Sequence, residues 1–183
     1  RLAAAADDLG FLTREIGDKQ DALIAYEDAK TIWERLAREH PSTIEFQNEL
    51  AASQRDLGSL LGETGKRQEA IQANQQAVRI LENLVKDNPT ETEFQCDLAG
   101  TQNNLGGLLT ETGQPEAALA AYEAARKIRQ KLVRENPEVA EFQFALAQSY
   151  NNLGTLFSEI GLSDDARRSY LEAKRIQKKL ARE

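Results

Sequence analysis

With one cysteine, Cys96, the chain cannot close an internal disulfide, so nothing points to an oxidising compartment and a cytoplasmic setting is expected. No apolar run approaches the ~20 residues that would span a bilayer, so no membrane partner is expected. Basic residues are in deficit, with 23 Lys and Arg against 30 Asp and Glu and a formal charge of −7. Phosphate binding needs a basic face. Here the cations are scattered among a larger number of acids, which argues against a nucleic-acid partner. The one histidine, His40, and Cys96 are too few to build a Cys/His metal site, and no metal or cofactor is expected. Prolines number only four, and 29% of residues are charged, a balance that suits helices better than a β-rich fold.

What the chain does have is a repeat. Pro41, Pro89 and Pro137 stand 48 residues apart, as do Phe46, Phe94 and Phe142. The pairs Leu9-Gly10, Leu57-Gly58, Leu105-Gly106 and Leu153-Gly154 keep the same register. A fixed period of this size marks a repeat array. One repeat domain spanning 1–183 is expected, with copies at about 1–40, 41–88, 89–136 and 137–183. The first copy starts inside the pattern, since Arg1-Leu2-Ala3-Ala4 aligns with Glu49-Leu50-Ala51-Ala52. Leu180-Ala181-Arg182-Glu183 stops where Leu36-Ala37-Arg38-Glu39 runs on, so a piece of a longer array or a longer protein is expected.

Each copy reads as two antiparallel helices. The spacing predicts helices over Arg1 to Ile16, Asp18 or Lys19 to Glu39, Thr43 to Thr64 and Arg67 to Asp87, and the last two copies repeat this grammar. Gly17, Gly65, Gly113 and Gly161 close the first helices, where a left-handed residue is wanted. Asp18 is placed as an N-cap, Pro115 as a first-turn residue, and His40-Pro41 as a stop. Ala22, Tyr26, Ala29, Ile32 and Leu36 fall at steps of three and four, an amphipathic face. Gly10, Gly58, Gly106 and Gly154 lie mid-helix, where glycine costs roughly 1 kcal/mol against alanine. Close helix contact would explain that cost, with Ala22, Ala70, Ala118 and Ala166 as small partners on the second helix. Each pair would bury its open face on the next, giving an all-α solenoid of stacked helix pairs.

Leu57-Gly58, Leu61, Gly65, Ala70 and Ala77, with Tyr122 and Tyr170 in later copies, have the spacing of the tetratricopeptide repeat, which the chain resembles throughout. The family's repeat is about 34 residues, whereas this one is 48. The aromatic expected four residues before the Leu-Gly glycine is present only as Tyr150, with Ala6, Gln54 and Gln102 elsewhere. The long form is similar to arrays attached to large bacterial Ser/Thr protein kinases, and to the kinesin light chain-type repeats. The resemblance implies a right-handed superhelix whose concave groove, lined by the first helices, binds a protein or peptide.

Carried over copy by copy, the resemblance implies a groove lined by Asp7, Asp8 and Phe11; Arg55, Asp56 and Ser59; Asn103, Asn104 and Gly107; and Asn151, Asn152 and Thr155. Glu15, Glu63, Glu111 and Glu159 recur one turn on. Asparagine suits capture of a peptide backbone because its amide both donates and accepts, and equally suits satisfying a neighbouring helix. The set is acidic early and neutral late, so a basic or polar segment is expected rather than an acidic one. Only Arg55 offers a cation, which disfavours a receptor for C-terminal carboxylates.

No acid, base and nucleophile are brought together by the pattern, so a non-catalytic interaction module is expected. His40 shares its slot with Asn88 and Asn136 and reads as a helix-end residue, and Cys96 shares its slot with Asn48 and Phe144. Trp33, in the slot of Leu81, Arg129 and Gln177, reads as packed, with an exposed binding anchor as the alternative. The alternative function is structural: self-association through uncapped ends, or a regulatory spacer in a larger protein such as a bacterial kinase.

Overall fold

Four glycines divide the helix pairs, each with φ between 71° and 92° (Gly17, Gly65, Gly113 and Gly161). At Gly65 the closing geometry is explicit. Its N–H donates to Gly62 O at 3.1 Å and the Lys66 N–H to Leu61 O at 2.9 Å, a Schellman pair that any residue with a Cβ would strain. The structure is a computed structural model describing residues 2–182. Among those residues it is wholly helical apart from turns: α1 (Leu2–Glu15), α2 (Lys19–Glu39), α3 (Ile44–Glu63), α4 (Arg67–Asp87), α5 (Thr92–Glu111), α6 (Pro115–Glu135), α7 (Ala140–Glu159) and α8 (Ser163–Leu180). The expected ends at Arg1 and Glu183 lie outside the described residues.

The anticipated stops and starts operate. The Asp18 carboxylate accepts from the Asp21 N–H at 3.1 Å, and Pro115 opens α6. His40 ends α2 by donating its backbone N–H to Leu36 O at 2.9 Å. In the same slot Asn88 and Asn136 add a side-chain amide to the last carbonyls, on Leu84 O at 3.0 Å and Leu132 O at 3.1 Å. His40 is thus a helix-end residue, its ring edge-on to Phe46 at 5.8 Å between centroids.

The chain divides into two compact units, Arg1–Thr90 with α1 to α4 and Glu91–Glu183 with α5 to α8. Within each unit every helix packs on the next in sequence. In the first unit Trp33, Ala29, Ala37 and Leu50 form a core joined by Phe46, Ile32 and Ile80. Trp33 is buried, as its packed reading expected. In the second unit Leu146, Ala147 and Ile176 make the matching cluster, with Tyr150 and Val133 against it. A buried side chain of this size contributes roughly 1.5–3 kcal/mol.

Three of the four mid-helix glycines face a tyrosine rather than the expected alanine. A Cβ on Gly106 would lie 2.7 Å from the Tyr122 ring, and one on Gly154 2.8 Å from Tyr170. At Gly10, Gly106 and Gly154 the close approach is to the ring of Tyr26, Tyr122 or Tyr170, whereas a Cβ on Gly58 would meet the Asn74 amide and lie 3.2 Å from the Ala70 backbone oxygen. Ala22, Ala70 and Ala118 are fully buried. The second copy has Asn74 in the tyrosine slot, its amide donating to Ala70 O at 2.9 Å while its own oxygen is buried without a hydrogen-bond partner.

The two terminal helices differ in what they show to solvent. Leu2, Leu9 and Leu12 of α1 are 73%, 57% and 61% exposed, whereas their counterparts Leu50, Leu57 and Leu60 on α3 are 8%, 4% and 0% exposed. On α8 the outward slots hold Arg167, Lys174 and Gln177, where α4 has Ile71, Val78 and Leu81. The exposed face of α1 is apolar, whereas that of α8 mixes these charged and polar residues with Tyr170 and Leu171, 41% and 53% exposed.

Candidate interaction surface

Along each first helix, steps of three and four residues set one stripe apart from the packed faces. On α1 the stripe carries Asp8, Phe11 and Glu15, all exposed. On α3 it carries Asp56, Ser59 and Glu63; on α5 Asn104, Gly107 and Glu111; on α7 Asn152, Thr155 and Glu159, each at least partly accessible. Apart from the four glutamates, these are two thirds of the groove positions expected from sequence. The remaining slot, Asp7, Arg55, Asn103 and Asn151, turns toward neighbours and is half-buried throughout.

Asp7 shows what that slot does. Its carboxylate accepts the Trp33 indole N–H at 2.6 Å, tying α1 to α2. Burial pushes the Asp7 carboxyl up, against the pull of that hydrogen bond. Arg55 lies with its Nε 3.3 Å from the Asp56 carboxylate, so the single cation of the expected groove is neutralised by its neighbour. Asn103 accepts from the Asn152 amide at 2.6 Å, which joins α5 to α7 directly. Asn103 and Asn152 thus satisfy each other across the two helices.

The first unit joins its first helices by charge instead. Arg14 of α1 is paired with Glu63 of α3, and Lys19 Nζ lies 3.3 Å from the other oxygen of that carboxylate. Burial works against ionisation, yet the hydrogen bonds from Arg14 and Lys19 hold the Glu63 carboxyl below its usual value. Arg14 also lies 3.4 Å from the Ser59 hydroxyl. Arg14 was not anticipated as part of this face, because its slot is Gly62, Thr110 and Ser158 in the other copies and no periodicity marks it. Apart from Glu111 and Glu159, the face of the second unit carries neutral donors and acceptors. Thr155 and Tyr170 share a hydrogen bond at 3.1 Å between their hydroxyls.

Two other polar groups, Cys96 and Arg129, have structural surroundings. Burial, and after it Asp97, pushes the half-buried Cys96 thiol up, which lowers its thiolate fraction. Arg129 is buried and spans α6 to α7, donating to Ala145 O at 2.8 Å and the Ser149 hydroxyl at 2.9 Å. Among the described residues no cluster of His, Cys, Asp and Glu is placed to hold a metal ion. No helix among them is long and apolar enough to cross a membrane.

Comparison with known proteins bears on the fold. Two family models, both described as tetratricopeptide repeat, match the chain, one at residues 2–42 and 50–91 and the other at 97–179. No curated protein matches. The crystal structure of BtubC (BKLC) from P. vanneervenii is similar with a TM-score of 0.78 at 21% identity, over 98% of this chain and 65% of that one. This chain thus spans just under two thirds of that protein. A crystal structure of MamA is similar with a TM-score of 0.55 at 20% identity, covering 96% of this chain and 98% of that one. At these identities the likeness establishes the fold, an all-α repeat of the solenoid class.

Proposed function

Because the chain belongs to the tetratricopeptide-repeat family, whose members are generally non-catalytic and bind protein partners, we propose that it is an adaptor holding a basic or polar peptide against the stripe of its first helices. One observation carries this: the accessible side chains there form an acid-and-aromatic set in the first unit, Asp8, Phe11, Glu15 and Asp56. Carboxylates beside an exposed aromatic ring suit a lysine or arginine side chain, by charge pairing and cation–π contact. In the second unit Asn104, Thr155 and the Tyr170 hydroxyl suit a peptide backbone. Affinity is expected in the micromolar range, about −8 kcal/mol, as for shallow peptide sites. In this reading the chain works in the cytoplasm, as a regulatory or adaptor segment of a bacterial protein, with the long repeat lengthening both helices of each pair.

The test is a set of fluorescent peptides, basic, neutral and acidic, titrated against the protein and against Asp8→Lys with Asp56→Lys. Preference for the basic peptide, lost in the double variant and weakened by salt, supports the reading. Tighter binding of an acidic C-terminal peptide, abolished by Arg55→Ala, overturns it. A self-associating array is the second reading, favoured by the exposed leucines of α1, and sedimentation across a concentration series detects it directly.

A further inference from the structure

The accessible stripe uses one side of α3, and the opposite side carries a cleft of its own. Gln54, Leu57 and Leu61 stand two residues before Asp56, Ser59 and Glu63, about 200° around the helix. They floor a cleft of about 330 Å³ whose walls are α2 and α4. Glu27 is exposed on the α2 wall and Glu69 on the α4 wall, with Leu57, Leu61 and Ala73 as the apolar lining. Gln54 is 2% exposed. Its amide nitrogen donates to the Gln76 side-chain oxygen at 2.7 Å, while its own oxygen is buried without a hydrogen-bond partner. The lining has one cation, Lys30, whose Nζ lies 3.9 Å from the Glu34 carboxylate. Carboxylates therefore outnumber cations around the cleft.

The second unit shows what fills the same place two repeats on. The slot of Gln54 holds Tyr150, that of Lys30 holds Arg126, and that of Glu34 holds Gln130. Gln130 donates to the Tyr150 hydroxyl at 2.8 Å, and the Arg126 guanidinium lies over the Tyr150 ring, 5.9 Å from its centroid. A flat ring and a guanidinium are thus supplied by the chain itself. In the first unit a glutamine replaces the ring and the shorter-headed Lys30 is drawn to Glu34, which leaves the space open and acidic.

We propose that the cleft between α2 and α4 is a second binding site, which seats one arginine side chain of a partner protein. The aliphatic stem lies on Leu57, Leu61 and Ala73, and the planar head is held between Glu27 and Glu69. A guanidinium carries five donors and no acceptor, which matches two carboxylates above a glutamine oxygen in want of a donor. A free amino acid would bring its own carboxylate into this acidic surround, so the arginine is one inside a chain. The site goes beyond the adaptor reading and does not rest on it, because the two surfaces lie on opposite sides of α3.

The experiment follows the side-chain amide resonances of the intact protein by NMR as Nα-acetyl-arginine amide is added. Saturable shifts of the Gln54 and Gln76 amides are expected, with a midpoint on the order of millimolar for one side chain. Nα-acetyl-lysine amide should bind severalfold more weakly, since its point charge cannot fork between two carboxylates. Glu27→Gln with Glu69→Gln should weaken binding at least about tenfold. Both positions are exposed, so an unchanged melting midpoint certifies the fold. Asp8→Lys with Asp56→Lys should leave these shifts in place. Absence of the shifts at the highest soluble concentration overturns the proposal, as does binding that survives loss of both glutamates. Free arginine binding more tightly than the blocked form overturns it in favour of a small-molecule site. The stripe variants and the cleft variants are separate, so failure here leaves the adaptor reading standing.

Discussion

The two units are built to one plan and hold their first helices together by different chemistry. In the first, Arg14, Glu63 and Lys19 make a charged link between α1 and α3. In the second, Asn103 and Asn152 make a neutral one between α5 and α7. They differ again under the mid-helix glycine, where Tyr122 and Tyr170 serve the second unit and Asn74 stands in for one ring of the first. The apolar frame of a repeat is constrained because any change there opens a void or a clash. The accessible stripe carries no such constraint, and so it is free to differ in charge.

The largest break in this comparison should come from Gly106→Ala. Its new methyl would meet the buried Tyr122 ring, which is boxed in, and overpacking of this kind costs about 1–3 kcal/mol. Gly154→Ala places its methyl against Tyr170, which is exposed and can swing aside, so its cost should be smaller. Urea midpoints of the two variants check the order, and equal costs would refute the ring-packing account. Next comes Asn74→Tyr, which gives the second copy the ring of the others and removes a buried amide oxygen without a partner. A gain of roughly 1 kcal/mol is expected, read as a raised melting midpoint. A loss would mean the second copy has no room for the ring.

The smallest effects concern acid titration. The Glu63 carboxyl is held low, so the stability it contributes is present above its unfolded pKa and is lost as pH falls through the lower folded value. The Asp7 carboxyl is raised by burial, so its sign is opposite. The folded chain holds the proton more tightly, and stability declines as pH rises from the unfolded pKa through the folded one. Asp7→Asn keeps an acceptor for the Trp33 indole and removes the charge, so it should stabilise at neutral pH and have no advantage well below pH 4. Arg14→Met should cost less than about 1 kcal/mol, as exposed pairs do, and should flatten the acid limb that Glu63 creates. Chemical denaturation at pH 3 and pH 7 separates these outcomes.

How much of this was legible beforehand follows from which contacts are local. Helix ends were readable because Gly65, Asp18 and Pro115 act on backbone groups within one turn of themselves. The apolar faces were readable because a helix fixes side-chain direction by spacing alone. The tyrosine under three of the four Leu-Gly glycines was not, since nothing in the spacing says which of several small or flat residues on the second helix meets it. Nor was the role of Asp7, whose partner Trp33 lies 26 positions on and recurs in no other copy.

The sequence by itself determined the period, the pairing of helices and the all-α class, because a 48-residue register repeated without slippage allows one packing solution to be reused. Tertiary structure alone decided which polar residues of the expected groove are spent on holding helices together and which stay accessible. It also decided that α1 leaves a row of leucines open to solvent while α8 mixes exposed charge with Tyr170 and Leu171. Those outcomes depend on which neighbour each residue meets, and only packing makes that choice.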